Sequence, residues 1–291
     1  MIKRVGLVLN PTLGEGMVTI TRELIDYLGA RGAGVLLLKE HAPLVGAEGV
    51  SEEVLREHAD VLFSLGGDGT LLSTVRIAAP AGIPVLGINL GRLGFLAELG
   101  PEELYSGVIQ DVIEGRCRVE ERLLLQGRVE RAGTVLKEVV CLNECVIGRG
   151  ALGRSCQLEV RVDGCCAMRF AGDGLIVATP TGSTAYSFSA GGPVVEPAVG
   201  AIILTPICPH SYNVRPVVVN EGATVEVLLK ASTADFCFAA DGQGNGALLP
   251  GDTVRIERYP RPFKLLRISE RSFYRILREK LQLQGLQECG P

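Results

Sequence analysis

Leu65-Gly66-Gly67-Asp68-Gly69-Thr70 follows directly on the apolar run Val61-Leu62-Phe63 and leads into Leu71-Leu72-Ser73-Thr74-Val75. That order predicts a buried strand, a glycine turn and a helix opening at Thr70. The glycines remove Cβ atoms where the backbone turns sharply and approaches a bulky partner. The helix aims unpaired N–H groups and its positive dipole end into the turn, an arrangement suited to phosphate. Asp68 is an odd member of such a site. A carboxylate among anion-binding amides points to chemistry on a hydroxyl, or on a metal, beside a phosphate. The plainer alternative is a helix cap, a role that Asp favours. The turn alone leaves the substrate open.

Outward from the turn, the chain before Arg118 alternates strand and helix. Val5 to Leu9 and Val35 to Leu38 read as strands, and Ile20, Leu24, Ile25 and Leu28 recur at helical spacing between them. Ser51-Glu52-Glu53 opens a helix with acidic residues in its first turn. Ile83 to Leu86 gives a further strand, closed by Asn89-Leu90-Gly91-Arg92-Leu93-Gly94-Phe95, and Pro101-Glu102-Glu103 starts a helix ending near Gly115. Alternation of this kind implies a parallel sheet covered on both faces, with ligands at the carboxyl ends of its strands. From about Arg118 the period becomes two, as in Gln157 to Val162, Thr224 to Leu228 and Thr253 to Glu257. Asp163-Gly164 reads as a hairpin turn, and this half as an antiparallel sandwich. Phe273, Ile276, Leu277 and Leu281 share a face of a last helix, expected to pack back on the first domain. The expected domains are therefore an α/β nucleotide-binding domain of residues 1–117 plus about 270–291, and a β-sandwich of residues 118–269.

The 291 residues hold ample material for a buried core. A formal charge of -4 and a pI near 5.6 argue against a nucleic-acid partner. No apolar run reaches the roughly 18 residues needed to span a bilayer. The first apolar stretch is too short for a secretory signal, so a cytoplasmic protein without a membrane partner is expected. Nine cysteines form no C-x-x-C pair and only three histidines exist, which disfavours a zinc site; no metal-ligand set is assigned.

Two further stretches carry polar chemistry. Thr179-Pro180-Thr181-Gly182-Ser183-Thr184-Ala185-Tyr186-Ser187-Phe188-Ser189-Ala190-Gly191-Gly192-Pro193 crowds hydroxyls into a turn where a helix begins. It suits recognition of a ribose, an amide or an adenine edge, or equally a helix whose Ser and Thr satisfy local backbone. Asn143-Glu144 interrupts the apolar run Val139 to Ile147, and polar residues in a strand need partners. They either pair locally or hold a ligand's ribose or a metal-bound phosphate. Asp241-Gly242 reads as a hairpin turn.

Together these stretches resemble the NAD kinase family: the glycine turn, Asn89 to Phe95, Asn143-Glu144, Thr179 to Pro193, Leu204 to Ser211, Arg215-Pro216 and Asp241-Gly242-Gln243, in the family's order. The glycine turn is shared with lipid kinases and, nearly, with phosphofructokinases; the Thr179 to Pro193 run is far more specific. The resemblance implies a phosphofructokinase/diacylglycerol-kinase-like α/β domain joined to a β-sandwich. It implies transfer of the γ-phosphoryl of ATP, or of polyphosphate, to the 2′-hydroxyl of NAD's adenosine ribose, with Mg²⁺ or another divalent cation. It also implies a homodimer or homotetramer. By the same resemblance, Asp68 acts on the 2′-hydroxyl as base or orienting group, and Gly66, Gly67, Gly69 and Thr70 face phosphate. Asn143 and Glu144 hold ribose and pyrophosphate groups. Phe95, Thr184, Ala185, Tyr186 and Ser189 line the dinucleotide pocket, and Asp173, reaching from a neighbouring subunit, completes it. Ala171 stands where some members carry Arg, and the smaller residue implies room for NADH as well as NAD. The alternatives are a non-catalytic NAD(H)-binding sensor and a diacylglycerol-type lipid kinase.

Overall fold

The structure, a computed structural model, describes the chain apart from residues 1, 11, 13, 92, 93, 98, 150–155, 232–235, 269, 270 and 282–291. It divides into two compact units, Met1–Glu120 with Lys264–Pro291, and Glu121–Phe263.

The first unit opens with β1 (Arg4–Leu9), α1 (Gly14–Gly29), β2 (Gly34–Leu37), α2 (Ala42–Val45), α3 (Glu52–His58), β3 (Val61–Gly66), α4 (Asp68–Ala81) and β4 (Val85–Asn89). A 3-10 turn at Pro101–Glu103 and a wider turn at Leu104–Val108 lead into α5 (Ile109–Glu114), where the sequence suggests one continuous helix. β5 (Arg118–Arg122) crosses to the second unit. There β6 (Leu125–Arg131), β7 (Thr134–Cys141), β8 (Glu144–Arg149), β9 (Cys156–Val162), β10 (Cys165–Gly172) and β11 (Gly174–Ala178) precede α6 (Tyr186–Ser189). β12 (Ala201–Ile207), β13 (Val217–Asn220), β14 (Val225–Ala231), β15 (Phe236–Ala240), β16 (Gln243–Leu248) and β17 (Thr253–Arg258) follow it. The chain then returns to the first unit as β18 (Phe263–Arg267) and α7 (Phe273–Leu281).

The first sheet has the order β2-β1-β3-β4-β18-β5, with parallel pairing of β2, β1, β3, β4 and β18. Helices on both faces of such a sheet call for strands apolar throughout, and every residue of β3 and β4 is buried. The second unit holds two antiparallel sheets, β10-β9-β14-β17-β6-β7 and β13-β12-β11-β8-β15-β16. Val160, Val227 and Val254 of one share a core with Ile147, Val177 and Phe238 of the other, which makes a sandwich. The expected hairpin at Asp163-Gly164 joins β9 to β10 with both residues at positive φ, 50° and 80°.

Three boundaries differ from the sequence reading. α4 opens at Asp68 rather than Thr70, because the Gly67 carbonyl already accepts from the N–H groups of Thr70 and Leu71. The fourth strand starts at Val85 rather than Ile83, since Pro84 has no N–H for the ladder. The return begins with β18 and not with the last helix: Leu265 pairs beside Val85, so Phe263–Arg267 belongs to the first sheet. No helix among the described residues is long and apolar enough to cross a membrane.

Candidate active site

β3 delivers the chain to Gly66, where a Cβ would overlap the Thr70 side chain and touch Asn10. Nothing lies within 4 Å of a Cβ built at Gly67 or Gly69. That open space is a cavity of about 700 Å³ lined by Gly67, Gly69, Thr70 and Ser73 together with Asn10 and Arg76. α4 begins at its edge, so first-turn amides and the positive dipole end face it. Thr70 is buried, and its carbonyl accepts from Thr74 Oγ1. The wall continues through Leu38, His41, Arg56 and Ile77. His41 Nδ1 accepts from the Leu9 N–H at 3.3 Å, and burial pushes its pKa down, so it stands neutral there. Arg56 is ion-paired to Glu52.

Asp68 is not a cap: Gly67 holds that position and no side chain bonds the helix start. Its carboxylate reaches forward to the loop after β4. Oδ2 accepts from the Phe95 N–H at 2.8 Å, and Oδ1 from Leu96 and Ala97, each at 3.2 Å. A Cβ at Gly94 would overlap this carboxylate, so glycine is required there by contact. Asp68, Phe95 and the glycines of the turn thus form one constellation in the first unit. Arg92 and Leu93 of the same loop lie outside the described residues.

In the second unit, Glu144 opens β8 opposite Ala178 and is 5% exposed. Burial first, and the nearby Asp241 charge second, raise its pKa to about 7, while the Tyr186 N–H donates to it. Its Oε2 has no hydrogen-bond partner in the structure. Asp241 does more than turn a hairpin. At φ 48° it joins β15 to β16, and its carboxylate accepts from the N–H groups of Leu142 (2.8 Å), Asn143 (2.7 Å) and Glu144 (3.2 Å). Sequence reasoning missed this role, although three amides in a row at a polar interruption of a strand demand an acceptor.

Part of the hydroxyl-rich run serves the second use foreseen for it, satisfying local groups of the fold. Thr179 Oγ1 donates to Leu142 O and accepts from Gly182 N, Ser183 bonds Pro180 O and Val195, and Ser187 bonds Thr205 at 2.8 Å. These three are buried and serve the fold. Thr184 and Ala185 are half-buried, and Tyr186 and Ser189 are exposed, with the Tyr186 N–H on Glu144. Gly182 packs so closely on the Asn143 carbonyl that a Cβ would overlap it, which ties the two motifs together. Asp173 stands apart. It precedes β11, whose five residues span roughly 17 Å, and Glu144 pairs at the other end. Asp173 is ion-paired to Arg149 at 3.0 Å.

Residues 5–117 match the ATP-NAD kinase N-terminal domain and residues 142–268 the ATP-NAD kinase C-terminal domain. The chain belongs to the NAD kinase family. It is 41% identical over 288 residues to the NAD kinase of Moorella thermoacetica, covering 98% of this chain and 91% of that one. It is 42% identical over 266 residues to the NAD kinase of Symbiobacterium thermophilum, covering 91% and 94%. The yeast NADH kinase solved with NADH superposes with a TM-score of 0.90 at 26% identity, covering 100% of this chain and 90% of that one. An Archaeoglobus fulgidus NAD kinase solved with ATP gives 0.74 at 29%, covering 97% and 100%. NAD kinase membership excludes the lipid-kinase alternative, and nothing favours a sensor without turnover.

Proposed function

We propose that the chain transfers the γ-phosphoryl of ATP to the 2′-hydroxyl of NAD's adenosine ribose, giving NADP. The observation that carries this reading is the Asp68 constellation: one oriented carboxylate on the residue between two open glycines, Gly67 and Gly69, which line a cavity at a helix N-terminus. Phosphoryl transfer depends mainly on positioning and charge neutralisation. The amides at the start of α4 cradle donor phosphate, and Arg76 adds positive charge. Asp68, its rotamer fixed by three N–H groups, orients the attacking hydroxyl and accepts its proton as the new O–P bond forms and the bond from the γ-phosphorus to the departing ADP breaks. Glu144, with one carboxylate oxygen unpaired, accepts from a ribose hydroxyl, and Asn143 stands beside it.

No group of three His, Cys, Asp or Glu side chains among the described residues is placed to hold a metal ion. Asp68 alone suits an ion carried by the nucleotide, since Mg²⁺ takes most of its ligands from phosphate and water. Such an ion neutralises charge on the donor phosphates. Asp173, remote from Glu144 in its own chain, serves the site of a second copy in a homo-oligomer. Ala171, half-buried and donating no charge, admits NADH as well as NAD.

Incubation of the purified protein with NAD, ATP and Mg²⁺, with the product phosphate located by ³¹P NMR, tests the reading. A 2′-phosphate is expected; NAD binding without NADP across ATP, other triphosphates and polyphosphate would overturn it.

A further inference from the structure

A second cavity of the first unit, about 580 Å³, lies at the other end of its chain path, where α5, β5, β18 and the start of α7 meet. Its lining carries Arg116, Arg118, Arg267 and Arg271 against a single carboxylate, Asp111, with Cys117, Ile268 and Ser272 completing it. In a protein of net charge -4, four guanidiniums around one cavity are a local reversal of sign. Carboxylates partly offset them. Arg116 pairs with Asp111 at 2.6 Å and with Glu114, and Arg267 Nε is 2.7 Å from Glu120 Oε2. Arg118 has no ion pair among the described residues.

Arg267 is the built element of the site. It is 5% exposed, on a strand of the sheet, and ion-paired to Glu120. The N-terminus of α7 adds its dipole to the field, with Ser272 closing it: the Ser272 Oγ accepts from the Arg275 N–H at 3.3 Å. Planar guanidiniums recognise phosphate with paired N–H donors, and several of them around one cavity match a chain of phosphates better than a single monoanion. No residue of this cavity is shared with the cavity beside the glycine turn.

We propose that this arginine cavity is a second anion site, which takes a chain of two or more phosphoryl groups. The ligand is the phosphate chain of a nucleotide or inorganic polyphosphate; both present the same oxygens to the guanidiniums. The site does not take part in phosphoryl transfer and stands whether or not the reaction proposed above is correct.

Calorimetric titration of the full chain with inorganic triphosphate at low salt tests it, comparing wild type with the Arg118→Ala/Arg271→Ala double variant. The expected result is a binding event in the wild type that weakens at least about tenfold in the variant, with a shallower dependence on salt. Superimposable isotherms would overturn the proposal. Arg118→Glu, a single exposed change, gives the same test should the double variant fail to fold, and it too must weaken binding. Titrating ATP and triphosphate side by side identifies the source. The loss caused by the double variant is read for each ligand: equal losses mean that the phosphate chain alone is read, as polyphosphate requires, and a larger loss for ATP means a nucleotide.

Discussion

Asp68 shows how far a single residue is legible. The sequence reveals a carboxylate among phosphate-binding glycines, but not that the loop after β4 supplies three N–H donors to it. Those contacts span 27 to 29 positions, beyond any local pattern. They give the proposed base a structural task as well. Asp68→Asn therefore puts an amide donor opposite a backbone donor, and a loss of about 1–3 kcal/mol is expected beside the kinetic defect. Thermal melts measure the first and turnover the second. Gly94→Ala displaces the same carboxylate without changing its chemistry, and a fall in kcat of tenfold or more is expected while the fold remains.

Glu144 makes a prediction about pH. Its folded pKa of about 7 lies above the ordinary value of 4.5, so the folded state holds a proton that the unfolded chain has released. Stability from this group is fully present below about 4.5 and is lost as pH rises through about 7, a change of order 3 kcal/mol at most. Glu144→Gln removes that slope, which denaturant titrations at pH 5 and pH 8 detect. A ribose hydroxyl donating to Glu144 favours the ionised form, so NAD binding near pH 6.5 releases protons. Calorimetry in buffers of different ionisation enthalpy measures the release; an enthalpy independent of buffer contradicts the contact.

At the scale of elements, the parallel half was readable because its strands are buried on both faces and its helices carry their own start signals, as at Ser51, whose hydroxyl accepts from Val54 N. The Thr179 to Pro193 run was not divisible by sequence. Buried Thr179, Ser183 and Ser187 and exposed Tyr186 and Ser189 share a composition, and only packing separates them. The Asp241 turn shows the opposite failure. A hairpin signal was correct and hid the carboxylate's second task of holding the start of β8. Asp241→Ala leaves three amides without an acceptor, and a loss of about 2–4 kcal/mol is expected, with a KM for NAD raised several-fold. Asp241→Asn, which retains one acceptor oxygen, should restore part of both; equal KM values in all three proteins would contradict the positioning role.

At the scale of the molecule, the two-part organisation follows from the change of period near Arg118, but β18 does not. A lone strand that enters a sheet out of chain order leaves no local signature, and Leu265 beside Val85 is a pairing 180 positions apart. The proposed subunit assembly has no local signature either, since in that proposal Asp173 serves the site of a second copy. Mixing Asp68→Asn chains with Asp173→Ala chains tests that arrangement. Each alone is expected to be nearly inactive, and hetero-oligomers to regain part of the wild-type rate; no recovery in demonstrably mixed oligomers contradicts it. Acceptor choice belongs here too. Comparable kcat/KM for NAD and NADH is expected, and a strong shift towards NAD in Ala171→Arg.

The measurement that bears most directly on the central claim is NADP formation from NAD, ATP and Mg²⁺ by the wild type and by folded Asp68→Asn, side by side. The account predicts steady turnover by the wild type and a loss of about a hundredfold or more in the variant, within the range that base assistance supplies. A folded Asp68→Asn protein making NADP at the wild-type rate would contradict it.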